Sequence, residues 1–493
     1  MLGSAPALAQ EGHITWAVHT TLVPTWFDPG EMTIGTASLI LYAIHDALVK
    51  PLPGKGMALS LAESWSASPD GLVHDFVLRK GLRFHNGEPV TADDVKFSLE
   101  RYRGAFARDL KDRIAGVDTP DARRVRVRLK RPWPDFMTYY ASLATGAGWV
   151  VPRKYVEKVG DEGFKKAPIG AGPYKFVSFT PGVELVLEAF EQHWRSVPHV
   201  KRLILKAMPD DATRLLALRR GEVDIAYAIR GTLAEELRRS PGLTLKPVLA
   251  QVTHWIYFPD QWDPKSPWHD RRVRLAASHA IDRQSMNQAE TMGFAKLTGS
   301  IVPPSFEFYW EPPRPAYDPA RSRQLLAEAG YPGGFDAGDL FCDASATYVG
   351  EPVVNSLVAA GIRTKLRAIE RAAFFSGWAQ KKYRGLILGS SGAFGNAATR
   401  LEPFVIGGGT YAYGSDPDID GLFAEQGGEL DPKRRDALLH RVQQLIHDRM
   451  IVAPIWLHAG LNGVGPRVEE SGLGLIAGHL FSAPYEDVKL KSK

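Results

Sequence analysis

The sequence predicts an α/β protein built as more than one lobe. Strand-like and helix-like segments alternate along the whole chain. Its 493 residues are too many for a single hydrophobic core, so two or three domains, set as lobes around a cleft, are expected. Apolar residues at 44% and charged residues at 23% are ordinary globular values and argue against a disordered or fibrous chain.

The elements are legible one by one. In "TADDVKFSLERY" Thr91 is placed to cap a helix, Asp93 and Asp94 suit its positive end, and Val95, Leu99 and Tyr102 share a face. "VRVRLK" alternates, with Val125, Val127 and Leu129 on one side and Arg126 and Arg128 on the other, as do "ELVLEAF" and "RLILKAM" further on. These read as strands with one wetted face. Asp318-Pro319 opens a helix whose Leu325, Leu326 and Ala329 are apolar and which Gly330 is placed to end. Asp431-Pro432 opens another, with Leu438, Leu439, Val442, Leu445, Ile446 and Met450 as a core stripe. No repeat period is visible, which argues against solenoids and propellers.

Chemistry of the chain's own finds little support. There is no H-E-x-x-H, no P-loop and no G-x-S-x-G, and "GSSG" at 389 to 392 lacks the spacing of a nucleophile elbow. His440 and His447 on one helix read as a solvated pair, not as metal ligands, and Cys342, the one cysteine, reads as a small buried hydrophobe. No catalytic residue, metal or cofactor is assigned. The net charge of +5 is spread in mixed-sign patches, unlike the one-sided basic face of a nucleic-acid binder. Ala7-Leu8-Ala9 has the A-x-A pattern of a signal-peptidase site, so residues 1–9 are expected to be the remnant of an export signal. No apolar run reaches the length of about 18 residues that a membrane span needs. Aromatic residues are more suggestive: Trp26, Phe27, Trp262, Trp268, Phe394, Tyr411 and Tyr413 sit in segments rich in Gly, Pro, Thr or Asp, where loops that line a pocket are expected.

Six segments carry a resemblance. "LAESWSASPDGLVHDFVLRKGLRFHNGEPVTADDVKFSLER" (61–101), "PIGAGPYKF" (168–176), "ALRRGEVDIA" (217–226), "PWHDRRVRLAASHAIDRQSM" (267–286), "YDPARSRQLLAEAGYPGGFD" (317–336) and "DPDIDGLF" (416–423) run in the order found in the family 5 extracellular solute-binding proteins. The chain thus resembles the peptide, nickel and opine receptors of ABC importers. The resemblance implies the large class II periplasmic-binding-protein fold, two lobes with an extra domain inserted in the first. On that pattern residues 10–45, 171–255 and 466–493 form the core of lobe 1, 46–170 the inserted domain and 256–465 lobe 2. Crossings between lobes are expected at Thr253 to Phe258 and at Pro454 to Gly465. It also implies a periplasmic monomer that closes by a hinge on a small organic ligand and delivers it to the permease subunits of a membrane transporter.

Gly170, Gly172 and Pro173 suit a tight turn into a strand, and Asp282-Arg283 is expected to tie a helix end, so neither group is expected at the ligand. The stretch "ILGSSGAFGNAATRLEPF" (387–404) differs. In peptide-binding relatives this loop reads approximately G-W-x-G-D-x-x-D-P, and its first Asp pairs with the peptide's α-ammonium. Here Ser390 stands for the Trp, Ala393 for that Asp, and Asn396 and Ala397 for the D-P pair. A buried ammonium without a partner would cost several kcal/mol, so a neutral or anionic ligand is expected. Arg400 is either its bidentate partner or a surface residue paired with Glu402. The candidate ligand contacts are Trp26, Phe27, Trp262, Ser391, Phe394, Asn396, Arg400 and Tyr411. The alternatives are an oligopeptide or metal-chelate receptor of the same fold and, outside the class, a secreted hydrolase.

Overall fold

Period-two alternation decides where the cores form. The computed structural model describes residues 12–32, 35–141, 145–314 and 316–492. Residues 1–9, with their expected signal remnant, lie outside them. The chain divides into two compact units, Met1–Ala250 with Gly460–Lys493, and Gln251–Ala459.

The first unit is built on a sheet in the order Tyr174–Thr180, Glu184–Ala189, Arg202–Ala207, His13–Val18 and Ile225–Ala226, followed by the end of Val452–Val464. His13–Val18 runs parallel to both its neighbours. A separate four-stranded antiparallel sheet, Ala62–Ala67, Val73–Leu78, Arg124–Leu129 and Ile114–Asp121, has its own core around Phe76, Val125, Val127 and Phe136. Ala92–Arg101 packs on it, and its start is fastened twice. Asp94 accepts from the Thr91 backbone N–H at 2.9 Å and from that of Arg153 at 2.9 Å. Gly170 and Gly172 are required for a reason other than a turn: an added Cβ would lie 2.0 Å from the Ile44 carbonyl oxygen and 2.6 Å from that of Ala43, respectively. They let this segment press against the helix Ser38–Ile44.

In the second unit, the later part of Thr244–Tyr257 lies between Val452–Val464 and the antiparallel Leu386–Ser391, and Phe335–Asp343 runs parallel to Leu386–Ser391 and to Ile362–Ile369. Alternate residues feed opposite faces. Ile256, Leu388, Leu340 and Cys342 join one core with the helices Arg271–Ala280 and Thr347–Ala359. Trp255, Tyr257 and Ile387 join the other with Arg371–Ala379, Ala397–Leu401 and Pro432–Asp448. In Pro432–Asp448 the buried stripe is Leu439, Val442, Leu445 and Ile446, and Leu438 is half-buried. Asp282 caps Arg283–Thr291, and Arg283 donates to the carbonyls of Ser278, Ile281 and Pro454, so the pair does tie helix ends.

Candidate functional site

Strand direction gathers polar side chains at one edge of the second unit. The parallel strands Phe335–Asp343 and Leu386–Ser391 both finish there, and ligands of open α/β sheets settle outside such carboxyl ends. Because Thr253 pairs with Ser391 and His254 with Ser390, the two faces of the sheet present two polar groups. On one face His254 lies 5.8 Å, ring to ring, from His458, whose Nδ1 is 3.2 Å from the Tyr348 hydroxyl. On the other face Thr253 meets Arg400. At the end of Phe335–Asp343, Asp343 is ion-paired with Arg371 and caps the backbone N–H of Ser345 at 3.0 Å.

His254 is 4% exposed, and its Nδ1 has no hydrogen-bond partner among the described residues. Burial lowers its pKa to about 4, opposed by the Asp343 carboxylate and reinforced by Arg371, so the ring is neutral at pH 7. Gln251 Oε1, Trp456 Nε1 and Arg371 Nε are likewise buried without partners among the described residues. Such orphaned groups are rare in a finished core.

Arg400 is 2% exposed, so it is not the surface residue that the Glu402 reading required. Its Nη1 donates to Thr253 Oγ1 at 2.6 Å and the Ile301 carbonyl at 3.0 Å, and its Nη2 to the carbonyls of Ala393 at 2.8 Å and Gln251 at 3.3 Å. The guanidinium also sits 5.1 Å over the Phe306 ring. Both η nitrogens are therefore spent, and a bidentate grip on a ligand would have to displace these bonds. No carboxylate pairs with Arg400 among the described residues. Burial alone lowers its pKa, to about 9, so it remains a cation at pH 7.

The other candidates take these places. Ser391 ends its strand and lies 3.4 Å from the Ala393 backbone N–H. Phe394 is half-buried in the loop that follows. Asn396 is 2% exposed and caps Ala397–Leu401, its Oδ1 accepting from Thr399 at 3.1 Å. Tyr411 stacks on Phe404 at 5.0 Å and leans on Trp378, while Trp262 covers Gly414, where a Cβ would meet its indole at 2.3 Å. Trp268 is core, against Phe258 and Phe335. Trp26 and Phe27 belong to the first unit. Phe27 is 1% exposed against Phe176 and Phe179, and Trp26 is half-buried. Ser391, Ala393 and Arg400 thus share the strand-end group, whereas Trp262 and Tyr411 join the aromatic core of that face. Sequence reasoning missed His254, Asp343, Tyr348, Arg371 and His458. One signal was present: each segment expected to cross between lobes carries a single histidine.

Polar groups gathered at strand ends are the setting in which open α/β sheets bind ligands. The chain belongs to the bacterial extracellular solute-binding proteins of family 5, whose middle region is matched by residues 57–412. Members of this family are transport receptors of ABC importers, not enzymes. Heme-binding protein A of Haemophilus influenzae is 25% identical over 92% of this chain and 89% of its own length. Probable di/tripeptide-binding protein 5 of Pseudomonas aeruginosa is 28% identical over 90% of each. The PBP/SBP MoaA of A. tumefacien R10, solved in complex with mannopinic acid, superposes with a TM-score of 0.81 at 24% identity, covering 98% of this chain and all of that one. The fold is that of the class II members. Among the described residues no helix is long and apolar enough to cross a membrane.

Proposed function

We propose that this receptor captures a small organic ligand that carries an acidic group and no free α-ammonium. The observation that supports the reading is that the Ala393 carbonyl accepts from the buried cation Arg400, at the position where the resemblance implies that peptide-binding relatives carry their ammonium-reading carboxylate. The place that would attract an ammonium is thereby made positive, and the field of a desolvated charge is strong at short range. Asp343, the nearby carboxylate, is already held by Arg371. Arg371, with its unpartnered Nε, is the group best placed to meet a ligand carboxylate. Named relatives span heme and di/tripeptides, so the ligand class is not inherited from the family.

In this reading the protein is exported to the periplasm as a monomer, with residues 46–170 as an inserted domain. It closes on its ligand by a hinge at the two chain crossings and hands the ligand to a membrane permease. Only a difference in ligand affinity between the open and closed states shifts such an equilibrium. Trp26 and Phe394 are the aromatic contacts proposed to cover the ligand.

Calorimetry tests the reading. Di- to pentapeptides with free amino termini give no heat, an acidic non-peptide such as mannopinic acid binds, and Ala393→Asp weakens that binding at least tenfold. Submicromolar binding of ordinary peptides overturns it.

A further inference from the structure

A groove of about 230 Å³ runs through the second unit between Arg271–Ala280, Pro432–Asp448 and the segment 299–314. Of the contacts that hold Arg400, it shares only Ile301. Its floor is apolar, with Leu275, Ile446 and Met450, and Trp310 forms one wall, edge-on to His447 at 5.8 Å. The segment across it is fastened on both sides. The Trp310 backbone N–H donates to Gln443 Oε1 at 3.2 Å, Gln443 Nε2 donates to the Phe308 carbonyl at 2.7 Å, and His279 Nδ1 lies 3.0 Å from the Ala316 carbonyl oxygen. At Gly299 the chain passes so closely that a Cβ would lie 2.4 Å from the Pro313 carbonyl oxygen. The groove is therefore held open by specific bonds and not by a loose loop.

Two permanent cations, Arg271 and Arg314, line it beside the rings of His279 and His447, burial lowers the pKa of His447, and no carboxylate is in the lining among the described residues. Arg271 Nε donates to the Asp448 backbone carbonyl, and the Asp448 carboxylate lies close enough to His447 to oppose the effect of burial on that ring. Arg271 and Arg314 are exposed and are not ion-paired among the described residues.

We propose that this groove is a second small-molecule site, taking a compact amphipathic anion: an aromatic ring or short apolar chain on the floor, with a carboxylate between the two arginines. An apolar body against Trp310, Leu275 and Ile446 supplies burial, and the exposed guanidinium groups of Arg271 and Arg314 select a carboxylate over a neutral head. The site is independent of the ligand reading above.

Saturation-transfer NMR and calorimetry with 4-methylbenzoate and its neutral analogue 4-methylbenzyl alcohol test it. The acid binds with a submillimolar Kd and the alcohol at least tenfold more weakly. Arg314→Gln and Arg271→Gln each weaken the acid threefold or more with unchanged melting, and Leu275→Trp, which fills the floor, abolishes binding. Ala393→Asp leaves the affinity for the acid unaltered, which separates this groove from the strand-end site. Equal affinity for acid and alcohol, or a signal that survives the arginine variants, overturns the proposal even where the tryptophan variant fails to fold.

Discussion

Arg400 donates to three backbone carbonyls and one hydroxyl, and of these carbonyls that of Ile301 also accepts from Thr253 Oγ1 at 2.8 Å, so removal of Arg400 is first a structural event. Arg214, Arg274 and Arg283 are buried in the same manner, each donating to several carbonyls. We expect Arg400→Met to cost about 3 kcal/mol in urea unfolding, because carbonyls stripped of donors cannot reach water. Arg400→Lys does not restore it, since an ammonium cannot span oxygens arranged for a planar fork. A parent-like midpoint for both variants would contradict the clamp. What was readable at this scale was chemical identity at one position, the methyl of Ala393. The clamp was not readable, because Gln251, Thr253 and Ile301 lie 149, 147 and 99 residues from Arg400 in sequence.

Elements were the most legible part of the chain. Caps and alternation are local, so Asp318, Asp431 and the 124–129 strand could be read from neighbours alone. Glycines were harder, because the atom that excludes a side chain comes from elsewhere. Gly389 shows this. It was expected as a loop residue, yet it lies within Leu386–Ser391, where an added Cβ would meet the Trp255 indole at 2.6 Å and that of Trp378 at 2.8 Å. Both rings are fully buried and have nowhere to move. Gly389→Ala is therefore expected to destabilise by roughly 1 to 3 kcal/mol through overpacking, read as a lower midpoint in thermal unfolding. By contrast Asp431→Ala, which frees the first backbone N–H groups of Pro432–Asp448, costs about 1 kcal/mol.

Across the whole molecule, acid sensitivity follows from buried imidazoles. Burial lowers the pKa of His45, His254 and His479 to about 4, whereas the unfolded chain protonates them near 6.5. The unfolded state then binds more protons, so stability is full above pH 6.5 and falls as pH drops toward 4. Each contributes on the order of 3 kcal/mol by pH 4, together enough to unfold a domain of ordinary stability. Asp46 adds to the loss only below about pH 4: burial pushes its carboxyl up, but Lys50 and His193 outweigh this and hold it well below the usual range. Thermal midpoints measured from pH 7 to pH 4 should fall steadily, and a flat profile would show that these histidines open to water without cost.

The division of the chain also has a consequence for biosynthesis. The second unit is one uninterrupted stretch, Gln251–Ala459, while the first is assembled from the stretches on either side of it. Trp16 Nε1 donates to Ser482 Oγ across 466 residues, and the Tyr485 hydroxyl to the Leu39 carbonyl across 446. Domains usually fold in the order in which they leave the ribosome. Here that order is inverted: the unit that begins first must wait for the residues that follow Ala459, while the one in the middle can finish before it. A chain stopped after Ala459 should therefore yield a protease-resistant core that maps within 251–459, with the preceding residues digested. Digestion of the middle stretch together with the rest would mean that it depends on the late-arriving tail as well.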